Sequence, residues 1–272
     1  MKKNKSKLRG ELTKQEEFVK NHKRYHTRIS SCRFFIFVLF LILWETAADA
    51  LWIDSFFFSS PSRVLLCFFK LTTENSLFLH IGITLFETLL SFLLVIVIGM
   101  GAATLLWYSD GFSEISEPYL VVLNSLPKSA LAPLFIVWLG TGITTIIVAG
   151  ISVALFGSII SLYTGFKHVD KEKITLIYTL GGHKKDAFKK VVLPGSIPTI
   201  LSTMKINIGL ALVGVIIGEF LAARKGLGYL IIYGSQVFQM NMVITSILLL
   251  CIIAMGLYMA IQWIEHYYKK HL

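Results

Sequence analysis

Residues Lys171 to Pro198 read KEKITLIYTLGGHKKDAFKKVVLPGSIP, and the rest of the chain is organised around this stretch. It is the longest charged, amphipathic segment after the N-terminal arm. Four apolar runs precede it and two follow it. Lys171 to Leu180 predicts a short helix with Ile174, Ile177 and Tyr178 on one face, at i, i+3 and i+4. Gly181-Gly182 ends that helix, because glycine accepts the left-handed backbone that closes a helix C-terminus. His183 to Val192 predicts a second helix. Phe188, Val191 and Val192 form its apolar side, and Lys184, Lys185, Lys189 and Lys190 its wet side. Pro194 stops it and Pro198 starts the next apolar run.

The composition says what surrounds this segment. The 272 residues are 55% hydrophobic, only 15% are charged, and the mean hydropathy is +0.69. A soluble chain is about 45–50% apolar and about a quarter charged, so an all-α integral membrane protein is expected. The net charge of +10 is not a nucleic-acid footprint, since most of the excess flanks apolar runs, as membrane topology demands. Cys32, Cys67 and Cys251 are far apart and form no CxxC or Cys/His cluster, so neither a metal site nor a redox role is expected. No secretory signal is evident, because a long basic segment precedes a first run that is itself long enough to span.

Residues 1–33 are a polar arm with eleven Lys/Arg and three Glu. The six expected spans are Arg33–Ile53, Ile81–Trp107, Tyr119–Leu139, Ile143–Tyr163, Thr199–Ala222 and Val243–Ile264. The first carries Glu45 and Asp49, four apart on one helix face. Ser60-Pro61-Ser62 predicts the start of a short helix around Val64 to Phe69. Glu87 lies inside the second span, and Gly99 and Gly101 near its end permit close helix packing. Tyr108 to Pro118 is expected as a polar loop. The third span holds Pro127, Lys128 and Pro133, and two prolines break its hydrogen-bond ladder. Such breaks are tolerated only where protein or a water-filled cavity replaces the lost bonds.

Charge placement orients the layout. With six spans and the N-terminus inside, twenty Lys/Arg fall on the inner side: eleven in the arm, seven between Gly165 and Pro198, and two in the tail. Arg63, Lys70, Arg224 and Lys225 fall outside. This positive-inside bias puts the Lys171–Pro198 loop and both termini in the cytoplasm of a cell-membrane protein.

Gly181, nine residues, Val191, one residue, then Leu193-Pro194 resembles the cytoplasmic "EAA" loop of ABC importer permeases. Thr179-Leu180-Gly181 and Val191-Val192-Leu193-Pro194 match, whereas Thr175-Leu176-Ile177 stand where that family has Glu-Ala-Ala. Further pieces resemble the branch for nitrate, sulfonates, taurine and thiamine-precursor pyrimidines. They are Leu43-Trp44-Glu45, Pro61-Ser62, Leu126-Pro127-Lys128, Ala132-Pro133-Leu134, Gly218-Glu219 and Gly226-Leu227-Gly228-Tyr229. One departure is Glu87, where that branch usually has arginine. The resemblance implies the six-helix, MetI-like fold of a type I ABC importer permease, with residues 34–265 as the permease domain, 171–198 as its coupling loop and 266–272 as a cytoplasmic tail. It implies a small anionic solute, two ATP-binding cassette ATPase subunits, a second permease copy and an extracytoplasmic binding protein. ATP and Mg would sit on the ATPase, because this chain has no GxxxxGK[ST] phosphate loop and no catalytic constellation. His183 lies on a wet face.

The resemblance makes Thr175, Leu176, Ile177, Tyr178, Leu180, Gly181, Gly182, Val191, Leu193 and Pro194 the ATPase-coupling residues. Pro127, Lys128, Pro133 and Glu219 are candidates for the translocation path. A charge at mid-bilayer costs roughly 2.5–3.5 kcal/mol, so such groups face protein or water. Glu219 is then either a path or gating residue or a structural partner of a neighbouring helix. Lys128 either meets an anion or has a structural or snorkelling role, and Lys205 snorkels to the inner face. The alternatives are a methionine or phosphonate permease of the same superfamily, and an ion-coupled carrier. The carrier would show inverted repeats with paired broken helices, and one broken span without a repeat argues against it.

Overall fold

The computed structural model describes residues 14–74 and 76–270. Among them there is no strand. The elements are α1 (Lys14–Asp49), α2 (Ser55–Phe58), α3 (Pro61–Thr73), α4 (Leu77–Tyr108), α5 (Asp110–Ser125), α6 (Lys128–Leu139), α7 (Ile143–Lys167), α8 (Lys171–Thr179), α9 (Lys184–Ala187), a π-helical turn (Phe188–Val192), α10 (Leu193–Gly195), α11 (Ile197–Ala222), α12 (Leu227–Gln236) and α13 (Met240–Lys270). The chain divides into two units, Met1–Arg63 and Val64–Leu272.

In the first unit, the described part of the arm is not a separate tail. From Lys14 it runs without interruption into the first span, whose apolar part is Thr27–Asp49. Residues 1–13 lie outside the described residues. Glu45 reaches forward to the start of α3. Its carboxylate accepts from Ser62 N–H (3.0 Å), Ser62 Oγ (2.6 Å) and Ser60 Oγ (3.3 Å). An anion at a helix N-terminus satisfies orphan N–H groups and the helix dipole together. The Trp-Glu and Pro-Ser pieces are therefore two halves of one contact.

The second unit is built on α7, which packs along α4 on one side and α11 on the other. Small residues allow these approaches. A Cβ on Gly214 would stand 2.7 Å from Gly150 Cα, one on Gly218 2.8 Å from Ile146 Cα, and one on Gly99 2.9 Å from Ser158 Oγ. Gly101 has open space around it, so of the two expected packing glycines only Gly99 is one. Asn207 on α11 donates to Ser158 on α7 (2.8 Å), and such interhelical bonds fix register where no water competes. Lys205 does not snorkel. It forms an ion pair with Glu265 on α13.

Five helices are long and apolar enough to cross a membrane: Thr27–Asp49 within α1, then α4, α7, α11 and Met240–Tyr268 within α13. α5 and α6, taken as one crossing, make the sixth, and they meet at a bend of 94°. The sequence placed a polar loop over Tyr108–Pro118. Instead Ser109 accepts from Phe112 N–H (3.3 Å) and starts α5, which carries Pro118 inside it. Only Pro127 breaks the third span. Pro133 sits within α6, which continues through it. The tail is not separate either, since α13 extends to Lys270.

α11 has 26 residues, about 39 Å at 1.5 Å per residue. The segment preceding it, α8 to α10, and the segment following it, α12, therefore lie at opposite ends of the bundle.

Candidate functional site

The loop begins where Asp170 caps α8 by accepting from Glu172 N–H (2.9 Å). α8 ends as the sequence predicted. Gly181 has φ +81°, Gly181 N–H donates to Tyr178 O (3.0 Å) and Gly182 N–H to Ile177 O (2.9 Å). A Cβ on Gly182 would stand 2.6 Å from Ile177 Cγ2 and 2.9 Å from Ile177 O. Gly181 is thus needed for its backbone conformation and Gly182 for its missing side chain.

The second half departs from a plain helix. After α9 the chain forms a π-helical turn, in which Leu193 N–H bonds to Phe188 O five residues back. It does not stop at Pro194. α10 includes Pro194, and Ser196 N–H bonds to Val192 O (3.0 Å). Widening the turn aims Phe188 and Val192 inward together. The Phe188 ring packs at 5.1 Å from Trp107, 5.5 Å from Tyr108 and 5.5 Å from Phe166. Val192 is fully buried in the cluster of Leu106, Leu162 and Phe166, with Ile174 against its edge. Lys184, expected on the wet side, lies over the Trp107 ring at 5.5 Å, a cation–π contact. At the turn, Asp186 accepts from His183 N–H (3.0 Å), and this bond holds its carboxyl below the usual aspartate range.

The loop therefore has two sides. Its inner side is tied to the ends of α4 and α7. On the outer side Leu176, Tyr178 and Leu180 are 56%, 44% and 75% exposed. Tyr178, expected on the same face as Ile174 and Ile177, points outward with this group. Thr175 is also exposed, and its hydroxyl bonds back to Lys171 O (2.9 Å). Val191 and Leu193 are half-buried, and Pro194 is exposed.

The four candidate path residues do not form one cluster. Pro127 is the break itself, with extended backbone (φ −70°, ψ 94°). Lys128 reaches back across the bend and donates to Asn124 O, closing the C-terminal end of α5 with a positive charge. Pro133 is exposed on α6. Glu219 lies in the other polar assembly of the fold and is 1% exposed. It accepts from Thr84 Oγ1 (2.7 Å) and from Gly228 N–H (2.5 Å). Thr84 Oγ1 accepts in turn from Leu227 N–H (2.8 Å), and His80 Nδ1 from Gly226 N–H (2.9 Å). The His80 and Tyr229 rings stack at 6.1 Å.

The first turn of α12 is thus held by three side chains of α4 and α11, namely His80, Thr84 and Glu219. Gly226 (φ +118°) and Gly228 leave room for the Glu219 carboxyl, which any Cβ there would meet. Sequence reasoning found Gly218-Glu219 and Gly226-Leu227-Gly228-Tyr229 as separate pieces. It did not find His80 or Thr84, which carry no local signal in an apolar helix.

Residues 95–271 match the family described as binding-protein-dependent transport system inner membrane component. A probable ABC transporter permease protein of Haemophilus influenzae is 30% identical over 226 residues, 83% of this chain and 91% of that protein. The formylaminopyrimidine transport permease protein ThiX of Halalkalibacterium halodurans is 28% identical over 193 residues, 71% of this chain and 76% of that protein. The taurine transport system permease protein TauC of Escherichia coli is 26% identical over 234 residues, 83% and 84% of the two chains. Among solved structures, an inward-facing MetNI methionine ABC transporter superimposes with a TM-score of 0.61 at 18% identity, covering 71% of this chain and 96% of that one.

Proposed function

Because this chain belongs to the family of binding-protein-dependent transport inner membrane components, and is a permease subunit of an ABC importer, we propose that α8 and its glycine turn are where its ATPase docks. The observation that carries this reading is the uncovered apolar tip of Leu176, Tyr178 and Leu180 on an element whose other side is bolted to α4 and α7. Exposed apolar groups of this kind on an otherwise charged loop mark a protein contact. With Thr175-Leu176-Ile177 in place of the family's Glu-Ala-Ala, the contact lacks that glutamate and is more apolar.

The transporter we propose has two such permease chains, two ATPase subunits and an external binding protein. Both termini and the loop face the cytoplasm, a placement that the Lys/Arg distribution supports. ATP-driven closure of the ATPases draws the two loops together. Phe188 carries that motion into the ends of α4 and α7, and access to the path alternates between the two faces. The path runs by the Pro127 break, where backbone groups freed by the bend can meet a solute in water. The solute is a small one of sulfonate, taurine, nitrate or thiamine-precursor type. The relatives named for taurine and formylaminopyrimidine support that class.

Replacing the tip tests the docking. In a Leu176→Glu/Leu180→Glu variant the permease should still reach the membrane but should no longer co-purify with its cognate ATPase. Wild-type recovery of the ATPase with that variant overturns the reading.

A further inference from the structure

Glu87 has no part in the coupling loop or the bend. It sits on α4, is 2% exposed, and its Oε2 has no hydrogen-bond partner. Thr84, three residues earlier on the same helical face, already joins Glu219 to the first turn of α12. The Glu87 carboxyl also lies within hydrogen-bonding reach of Glu219. Two ionised carboxylates cannot make that bond, since each is an acceptor only, and their charges repel. The pair needs one proton.

Donor counting decides where it resides. Glu219 collects the Thr84 O–H, the Gly228 N–H and the Tyr229 N–H, three donors that favour a carboxylate. Glu87 has no such set. Among the described residues no lysine or arginine is ion-paired with either group, since the ion pair seen is Lys205–Glu265. His80 is about two turns before Glu87 on α4, and its Nδ1 is engaged by the Gly226 backbone.

We propose that Glu87 is a positioning residue that carries the pair's single proton and donates it in a hydrogen bond to Glu219, clamping Glu219 beneath the N-terminus of α12. The clamp joins α4, α11 and α12 at the end of the bundle opposite the coupling loop. It does so without a cation, so no counter-charge has to be buried with it. The inference goes beyond the docking reading and stands if that reading fails, because it concerns the other end of the molecule.

The full-length permease in lipid nanodiscs tests it. Infrared spectra of the wild type should show the carbonyl stretch of a buried protonated carboxylic acid, and Glu87→Gln should lose one such group per chain. Glutamine keeps a donor at the same place, so Glu87→Gln should melt with the wild type. Glu219→Gln replaces an acceptor that three donors need, so it should melt several degrees lower. Glu87→Arg, which also donates to Glu219, should fold. An acid band unchanged in Glu87→Gln overturns the proposal. So does failure of Glu87→Gln to fold, or a Glu219→Gln variant as stable as the wild type.

Discussion

Phe188 and Trp107 pack with ring centroids 5.1 Å apart and planes inclined at 47°, joining the middle of the loop to the last turn of α4. Tyr108 and Phe166 complete the socket, so under the proposed docking the loop's motion would pass through one side chain gripped by two spans. Phe188→Ala should lower stability by about 1–3 kcal/mol, below the roughly 3–5 kcal/mol range of fully buried aromatics because the ring is only half-buried. ATPase binding should persist while solute uptake per ATP hydrolysed falls. Reconstituted transport measured together with ATPase rate checks this, and unchanged coupling would count against the socket.

At the tip, Gly181 is held at φ +81°. A β-branched residue there costs about 1–2 kcal/mol in backbone strain. Gly181→Val should tilt α8 and weaken ATPase co-purification, whereas Thr175→Ala, whose hydroxyl only bonds back along its own helix, should leave it intact. Parallel pull-downs separate the two.

At the far end of the bundle, Gly228→Ala places a methyl group 2.7 Å from Glu219 Oε2 and 2.9 Å from its Cβ. Overpacking of this kind costs about 1–3 kcal/mol. Thermal unfolding of the purified permease should show the loss. Glu219→Ala/Gly228→Ala should recover part of the packing cost but not the lost N–H acceptor.

Lys205 and Glu265 form a shielded ion pair between α11 and α13. Removing one member of such a pair costs about 3 kcal/mol or more, while replacing both by apolar groups is close to neutral. Lys205→Met alone should therefore destabilise more than Lys205→Met/Glu265→Leu. A double-mutant cycle on melting temperatures gives the sign of the coupling.

The Asp186–His183 bond sets a local acid limit on the loop. Asp186 is held below the ordinary aspartate range because its carboxylate accepts the His183 N–H. A depressed carboxyl stabilises the folded turn above the unfolded aspartate value and loses that contribution as pH falls through the lower folded one. The His183 amide should be protected from hydrogen exchange at neutral pH and open in strong acid, and Asp186→Asn should abolish the dependence.

The loop was legible because its signals are local. Gly181-Gly182 marks a helix end wherever it occurs, and the six apolar runs need only length and hydropathy. The bend between α5 and α6 was half legible. Pro127 announced it, but Asp110, Glu114 and Glu117 disguised the first helix as a loop, although Ser109 was in place to cap it. Pro133 has the sequence signature of a second break and is not one, because a helix can continue past one missing N–H when its outer side is free. The contacts that join distant pieces carried no signal in order of sequence. Glu45 meets Ser62, Glu219 meets Gly228, and Lys205 meets Glu265 only once the chain has folded. Each of these charges had an ordinary alternative in the interface or the path.

The bend at Pro127 also bears on how the protein enters its membrane. α5 has 16 residues and α6 has 12, about 24 Å and 18 Å of helix, against roughly 30 Å of hydrocarbon. Neither arm crosses alone, and turned by 94° they do not add up to a straight rod. Both pack on α7, which is translated after them. The crossing is therefore complete only when both arms are seated on α7, so the third span depends on a neighbour that follows it in the chain.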